Sequence, residues 1–241
     1  MFSVLNRKEK SMKNQVKCTF VIVGIAFLAL IFNPVSGQAA KLPKNILVYA
    51  CTDSVTTWDP SVSFSTELTY LANIYEPLIW VTPPGSEQSF KPGLAEKWEK
   101  SGDGLSWTFY LRKGVTFHDG AMLNAQAVKD SFDRTKTMKK GASFILGPIK
   151  DIKVVDEYTV QFNLTSVAPL ERIVASAYAA WIISPKAVGK DQKWFEAGNE
   201  AGSGPYTLES SKPDEEIILK KFDDYWGGWN KPHVERIVVK I

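Results

Sequence analysis

The span Leu94–Gly120, reading LAEKWEKSGDGLSWTFYLRKGVTFHDG, restricts the possible folds more than any other part of this 241-residue chain. Trp107, Phe109 and Leu111 alternate with Thr108, Tyr110 and Arg112, the period-two pattern of a strand with one face buried. Gly104, Gly114 and Gly120 close Asp-Gly, Lys-Gly and Asp-Gly pairs, where a tight turn asks for positive φ. An amphipathic lead-in, a turn, a strand and two further turns therefore follow one another without a break. Such a span is scaffold, and it carries no catalytic constellation of its own.

Other elements follow from the same reasoning. Ile46–Cys51 is a short apolar run, predicted to be a buried strand with Cys51 inside it. Leu68, Leu71, Ala72 and Tyr75 recur at helical spacing until Pro77. Asn124 suits the N-cap of a helix whose inward face holds Ala125, Val128 and Phe132. Segments 152–155 and 158–164 read as a hairpin turning at Asp156-Glu157. A helix is expected over 169–178 and another starting at Ser184-Pro185. Segments 206–208, 216–222 and 235–241 read as strands. The elements together predict an α/β fold.

The first 39 residues have a different character. Arg7, Lys8, Lys10, Lys13 and Lys17 precede an apolar run from Cys18 to Phe32, and small residues follow at Gly37, Ala39 and Ala40. This is the layout of a cleavable secretory signal peptide, the run being shorter than the roughly 20 residues that span a bilayer. The competing reading is an uncleaved anchor. Residues 1–39 carry five basic residues and one acidic residue, so taking their +4 from the chain's +3 leaves −1. The basic balance thus belongs to the leader, and nothing in the remainder argues for nucleic acid. Removing Cys18 with the leader leaves Cys51 alone, which rules out a disulfide within the secreted part.

The Leu94–Gly120 span closely resembles the signature segment of the family 5 extracellular solute-binding proteins, the peptide, nickel and opine receptors of ABC importers. Four further pieces follow the family order: Trp58-Asp59-Pro60, Ile74–Leu78 (IYEPL), Gly202–Tyr206 (GSGPY) and Asp224–Gly227 (DYWG). Several motifs in the right order are far more specific than one. The resemblance implies a class II periplasmic-binding-protein-like fold. Residues 40–78 and 176–241 would form part of a first lobe, and 79–175 the extra domain that the family inserts there. Because the sequence stops within an apolar strand at Ile241, the second lobe is expected to be missing and the chain to be truncated.

The implied role is capture of a small solute, short peptides first, and its delivery to an ABC permease in the cytoplasmic membrane. The chain would act as a periplasmic or extracellular monomer; nickel chelates, opines and oligosaccharides stay open as ligands. The resemblance places Ser63, Phe64, Ser65, Thr66, Tyr178 and Trp181 at the ligand, where aromatic faces and hydroxyls could stack and hydrogen-bond. The competing reading makes Phe64 and Trp181 core residues. No cofactor is implied. His118-Asp119 is expected to be a structural turn and not a metal pair, because adjacent side chains point apart and no ligand spacing surrounds them. Gly202–Gly204 has neither the nucleophile-elbow nor the phosphate-loop context, and is expected to be a compact crossing. A secreted hydrolase and a chaperone-like envelope protein are the alternatives from other classes.

Overall fold

A computed structural model describes residues 45–52 and 55–241. The leader expected at residues 1–39 lies outside the described residues. In chain order the elements begin with β1 (Ile46–Ala50), α1 (Leu68–Ile74), β2 (Ile79–Val81), β3 (Phe90–Pro92), β4 (Ala95–Lys100) and β5 (Ser106–Leu111). They continue with α2 (Ala125–Met138), a 3-10 turn (Ser143–Leu146), β6 (Ile149–Asp156), β7 (Thr159–Leu164) and α3 (Leu170–Val174). The last are α4 (Gln192–Glu196), β8 (Tyr206–Lys212), β9 (Glu216–Lys221) and β10 (Arg236–Lys240). No helix among the described residues is long and apolar enough to cross a membrane.

One four-stranded sheet has the order β1-β10-β9-β8, with β1 parallel to β10 and the other pairs antiparallel. Parallel neighbours cannot be joined by a hairpin, so nearly the whole chain forms the crossover between β1 and β10. A second four-stranded sheet inside that crossover has the order β4-β5-β7-β6, antiparallel throughout. In β5 the expected alternation holds: Trp107, Phe109 and Leu111 are buried, and the residues between them are half-buried. Gly104, Gly114 and Gly120 take φ of 73°, 77° and 77°.

The described residues carry two apolar cores. The first gathers on the second sheet, where Phe162 meets Phe109 and Phe132 edge-to-face at 5.4 and 5.1 Å between ring centroids. Each fully buried ring is worth about 1.5–3 kcal/mol. α2 covers this sheet; the Asn124 side chain accepts from the Ala127 amide at 2.8 Å, and Ala125, Val128 and Phe132 are buried as expected. The second core joins Leu71, Ile74 and Tyr75 of the α1 region to Trp181, Phe195 and Ile217.

Three local expectations need correction. Cys51 lies one residue past β1 and is half-buried, its amide donating to the Lys240 carbonyl. The helix expected over 169–178 is only α3, since the Ser176 amide turns back to the Ile173 carbonyl and tightens the end. After Ser184-Pro185 the chain makes a single turn, with the Ala187 and Val188 amides both on the Ser184 carbonyl. The next helix, α4, starts instead where the Asp191 side chain accepts from the Trp194 amide.

Candidate ligand-facing site and a buried polar node

Two carboxylates hold the segment 56–66 between β1 and α1 from within. Buried Glu67 accepts from the Thr56 amide at 3.0 Å, the Thr56 hydroxyl and the Ser65 amide at 3.2 Å. Burial alone would raise the Glu67 pKa, but these donors outweigh it and hold the carboxyl below its ordinary value. Asp59 accepts from the Ser61 amide and takes a two-pronged ion pair from Arg134 of α2 at 2.6 and 2.7 Å. The Arg134 guanidinium also lies 5.0 Å from the Phe195 ring and donates to the Lys190 carbonyl. Gly141, at φ 53°, packs so close that a Cβ would stand 2.4 Å from the Val62 carbonyl oxygen.

This frame projects Phe64 outward, 54% exposed. Its ring meets Tyr178 at 5.9 Å and Phe144 at 6.0 Å, the latter nearly perpendicular, and Phe144 is itself 69% exposed. Three aromatic rings from three separate segments thus form one partly solvent-facing surface.

Ser65 is exposed and Thr66 half-buried beside the patch, while Ser63 is buried with its hydroxyl unpaired among the described residues. Trp181 does not join it. It is 2% exposed in the second core, edge-on to Trp80 at 6.1 Å, its indole N–H also unpaired. Phe144 escaped the sequence reading, since a lone Phe in a Gly-bounded turn carries no periodic signal. Its flanking breaks at Gly141 and Gly147-Pro148 were the visible clue to an irregular, surface-lying segment.

The sequence motifs converge on a buried polar node. Glu76 accepts from the Ser203 hydroxyl at 2.9 Å, the Tyr225 hydroxyl at 2.9 Å and the Trp226 indole N–H at 2.6 Å. Burial raises the Glu76 pKa, and the three donors only partly offset that. His118 Nδ1 lies 2.8 Å from a Glu200 carboxylate oxygen, and Nε2 lies 2.9 Å from the Gly204 carbonyl. Asp119 points away, accepting from the Ser184 hydroxyl and the Ala121 amide. Both His118 nitrogens are therefore held by protein acceptors. Gly202 is required by contact: a Cβ there would sit 1.8 Å from the Ile74 carbonyl oxygen, and one on Gly204 would sit 2.6 Å from that of Asn73.

The profile of the bacterial extracellular solute-binding proteins, family 5, matches residues 89–241, and the chain belongs to that family. It is similar to the probable D,D-dipeptide-binding periplasmic protein DdpA of Escherichia coli K12, 33% identical over 210 residues. That match covers 84% of this chain and 40% of DdpA. Among solved structures it is similar to the binding protein MoaA of A. tumefaciens R10 in complex with mannopinic acid, with 31% identity and a TM-score of 0.71. There the match covers 83% of this chain and 41% of MoaA. It also resembles DppA of Helicobacter pylori in complex with the peptide STSA, at 28% identity and TM-score 0.68, covering 81% and 42% of the two chains. The chain thus spans about two fifths of the length of these relatives.

Proposed function

We propose that this chain is part of an extracytoplasmic receptor that captures a small solute, short peptides first, and delivers it to an ABC permease. In this reading the leader directs secretion, and the protein binds its solute as a monomer without chemical turnover. Residues 40–78 and 176–241 serve as one lobe and 79–175 as an insertion; the two apolar cores follow this division except at its edges, where Leu78, Ala179, Ala180 and Ile182 join the first core. The observation that carries the ligand reading is the surface formed by Phe64, on a loop held by Glu67 and Asp59, with Phe144 and Tyr178 from two other segments. Rigid aromatic faces bind apolar and planar groups with little ordering cost. The flanking Ser65 and Thr66 supply polar contacts beside them.

The test is calorimetry and NMR titration of the chain with di- and tripeptides bearing aromatic or aliphatic side chains. The expected result is weak, roughly millimolar binding, on the order of −4 kcal/mol, that shifts the ring signals of Phe64, Phe144 and Tyr178. Micromolar or tighter binding would contradict the expectation that this portion supplies only part of the cleft wall. Shifts confined to other residues would remove the site, and peptide hydrolysis abolished by a single Ser or Asp change would replace the binding role with catalysis.

A further inference from the structure

Of all the buried ionisable groups, His118 has the most constrained chemistry. A neutral imidazole has one N–H donor and one acceptor nitrogen. Here each ring nitrogen faces an acceptor, the Glu200 carboxylate at 2.8 Å and the Gly204 carbonyl at 2.9 Å. With Glu200 ionised, and hence acceptor-only, both contacts can be hydrogen bonds only if both nitrogens carry protons, so the geometry is that of an imidazolium. The ring is almost wholly enclosed, with Phe222 packed edge-on at 4.7 Å.

The position of His118 gives that proton a mechanical consequence. The preceding residue, Phe117, belongs to the first core, whereas Ala201 and Tyr206, flanking the Gly202–Pro205 crossing, belong to the second. The His118 amide donates to the Gly202 carbonyl, and the Gly204 amide donates to the Ile74 carbonyl, both at 2.8 Å. The charged and titratable groups around the ring are Glu200 and, further off, Glu76. Tyr225 is bonded to Glu76, Arg112 lies over the Trp226 ring at 4.7 Å, and the Tyr75 hydroxyl accepts from the Ala201 amide. No cation other than His118 itself is bonded to Glu200 among the described residues.

We propose that His118 is a proton-operated clasp between the two cores, closed as the imidazolium and loosened when it gives up its proton. Loss of the proton leaves one N–H for two acceptors. Either the Glu200 carboxylate becomes a buried charge with no cationic partner or the Gly204 carbonyl goes unsatisfied. The crossing is then held by its backbone contacts, by the Gly202 amide on the Glu200 carboxylate and by the Ser203 hydroxyl on Glu76, without the imidazolium tie. Burial pulls the His118 pKa down, but the Glu200 bond and charge and the Gly204 carbonyl outweigh it, so the closed form persists above the usual histidine range. The clasp acts on the scaffold and is independent of which solute binds.

The test uses the chain carrying His233→Gln, which leaves His118 as its only histidine, with imidazole nitrogens followed by NMR from pH 5.5 to 9. Both ring nitrogens should be protonated at pH 7, with a midpoint above the ordinary value of about 6.5. Amide exchange at Gly204, corrected for its intrinsic pH dependence, should accelerate about tenfold or more across that midpoint. A His118→Gln chain should show no such step. A neutral ring at pH 6, or Gly204 protection unchanged across the midpoint, would overturn the clasp. Both readouts come from the folded chain, so they do not depend on the variant's stability.

Discussion

The aromatic surface and the polar node lie on the same scaffold and obey opposite rules. The node is built from the recognisable motifs: Glu76 of IYEPL, His118 of FHDG, Ser203 of GSGPY, and Tyr225 and Trp226 of DYWG. Every one of those groups is committed to another part of the protein. The surface is built from Phe64, Phe144 and Tyr178, which belong to no motif and face solvent in part. The contrast teaches that the signature encodes how the two cores are joined, while the positions that could choose a ligand lie outside it. Receptors with different ligands can therefore share the first set of residues and vary the second.

The comparison would break if the interior ion pairs proved dispensable. Arg134→Ala strands the fully buried Asp59 carboxylate and is expected to cost about 3–5 kcal/mol, the usual penalty for removing one member of a buried pair. Chemical denaturation would measure it, and a cost below about 1 kcal/mol would show the Asp59 loop is held by other contacts. Glu76→Gln should be milder, about 1–3 kcal/mol at neutral pH. The amide keeps one acceptor oxygen but presents N–H groups to donors of Tyr225, Ser203 or Trp226. A stabilised Glu76→Gln protein would mean that relief of charge burial outweighs the lost acceptor.

The two regions also differ in how much the sequence disclosed. The β5 face, the positive-φ glycines and the Asn124 cap were legible because each depends on local period or backbone chirality. The turn character of His118-Asp119 was legible too, but its partners were not. Glu200 is 82 residues away from His118, and Tyr225 is 149 from Glu76, separations that no local pattern encodes. The ligand-facing residues were named only through resemblance, and the structure divides them. Phe64 and Tyr178 meet, whereas Trp181 is drawn into the second core beside Trp80. Phe144 arrived at the patch through a turn set by the left-handed Lys139 and Gly141. Tertiary packing determines which aromatic stays outside.

Titration sharpens the contrast, because the buried groups His118, Glu67 and Glu76 tie stability to pH. His118 has a raised folded pKa, so its stabilisation is complete below about pH 6.5 and is lost as pH climbs through the folded value. Glu67 has a lowered folded pKa, so its contribution is present above about pH 4.5 and is lost as pH falls through the folded value. Raised Glu76 adds to the first trend, favouring the folded state less once it ionises. A melting-temperature profile should therefore fall on both sides of a mildly acidic optimum. Replacing His118 with Gln should flatten the alkaline limb and leave the acid limb in place. An alkaline limb unchanged in that variant would assign it to other groups.

The smallest stability effect is expected where the functional effect is largest. Phe144→Ala removes a ring that is already 69% exposed, so unfolding free energy should change by no more than about 0.5 kcal/mol. Phe64→Ala should cost somewhat more, about 1 kcal/mol, since its ring touches both Phe144 and Tyr178. Against an apolar peptide side chain, each change should weaken binding about five- to tenfold through loss of aromatic contact. The double variant should fall short of the product of the two, because either deletion already dismantles the shared edge-to-face pair. Strict additivity in calorimetry would mean the rings act as separate contacts. A large loss of stability in Phe144→Ala would place that ring with the core and remove it from the ligand surface.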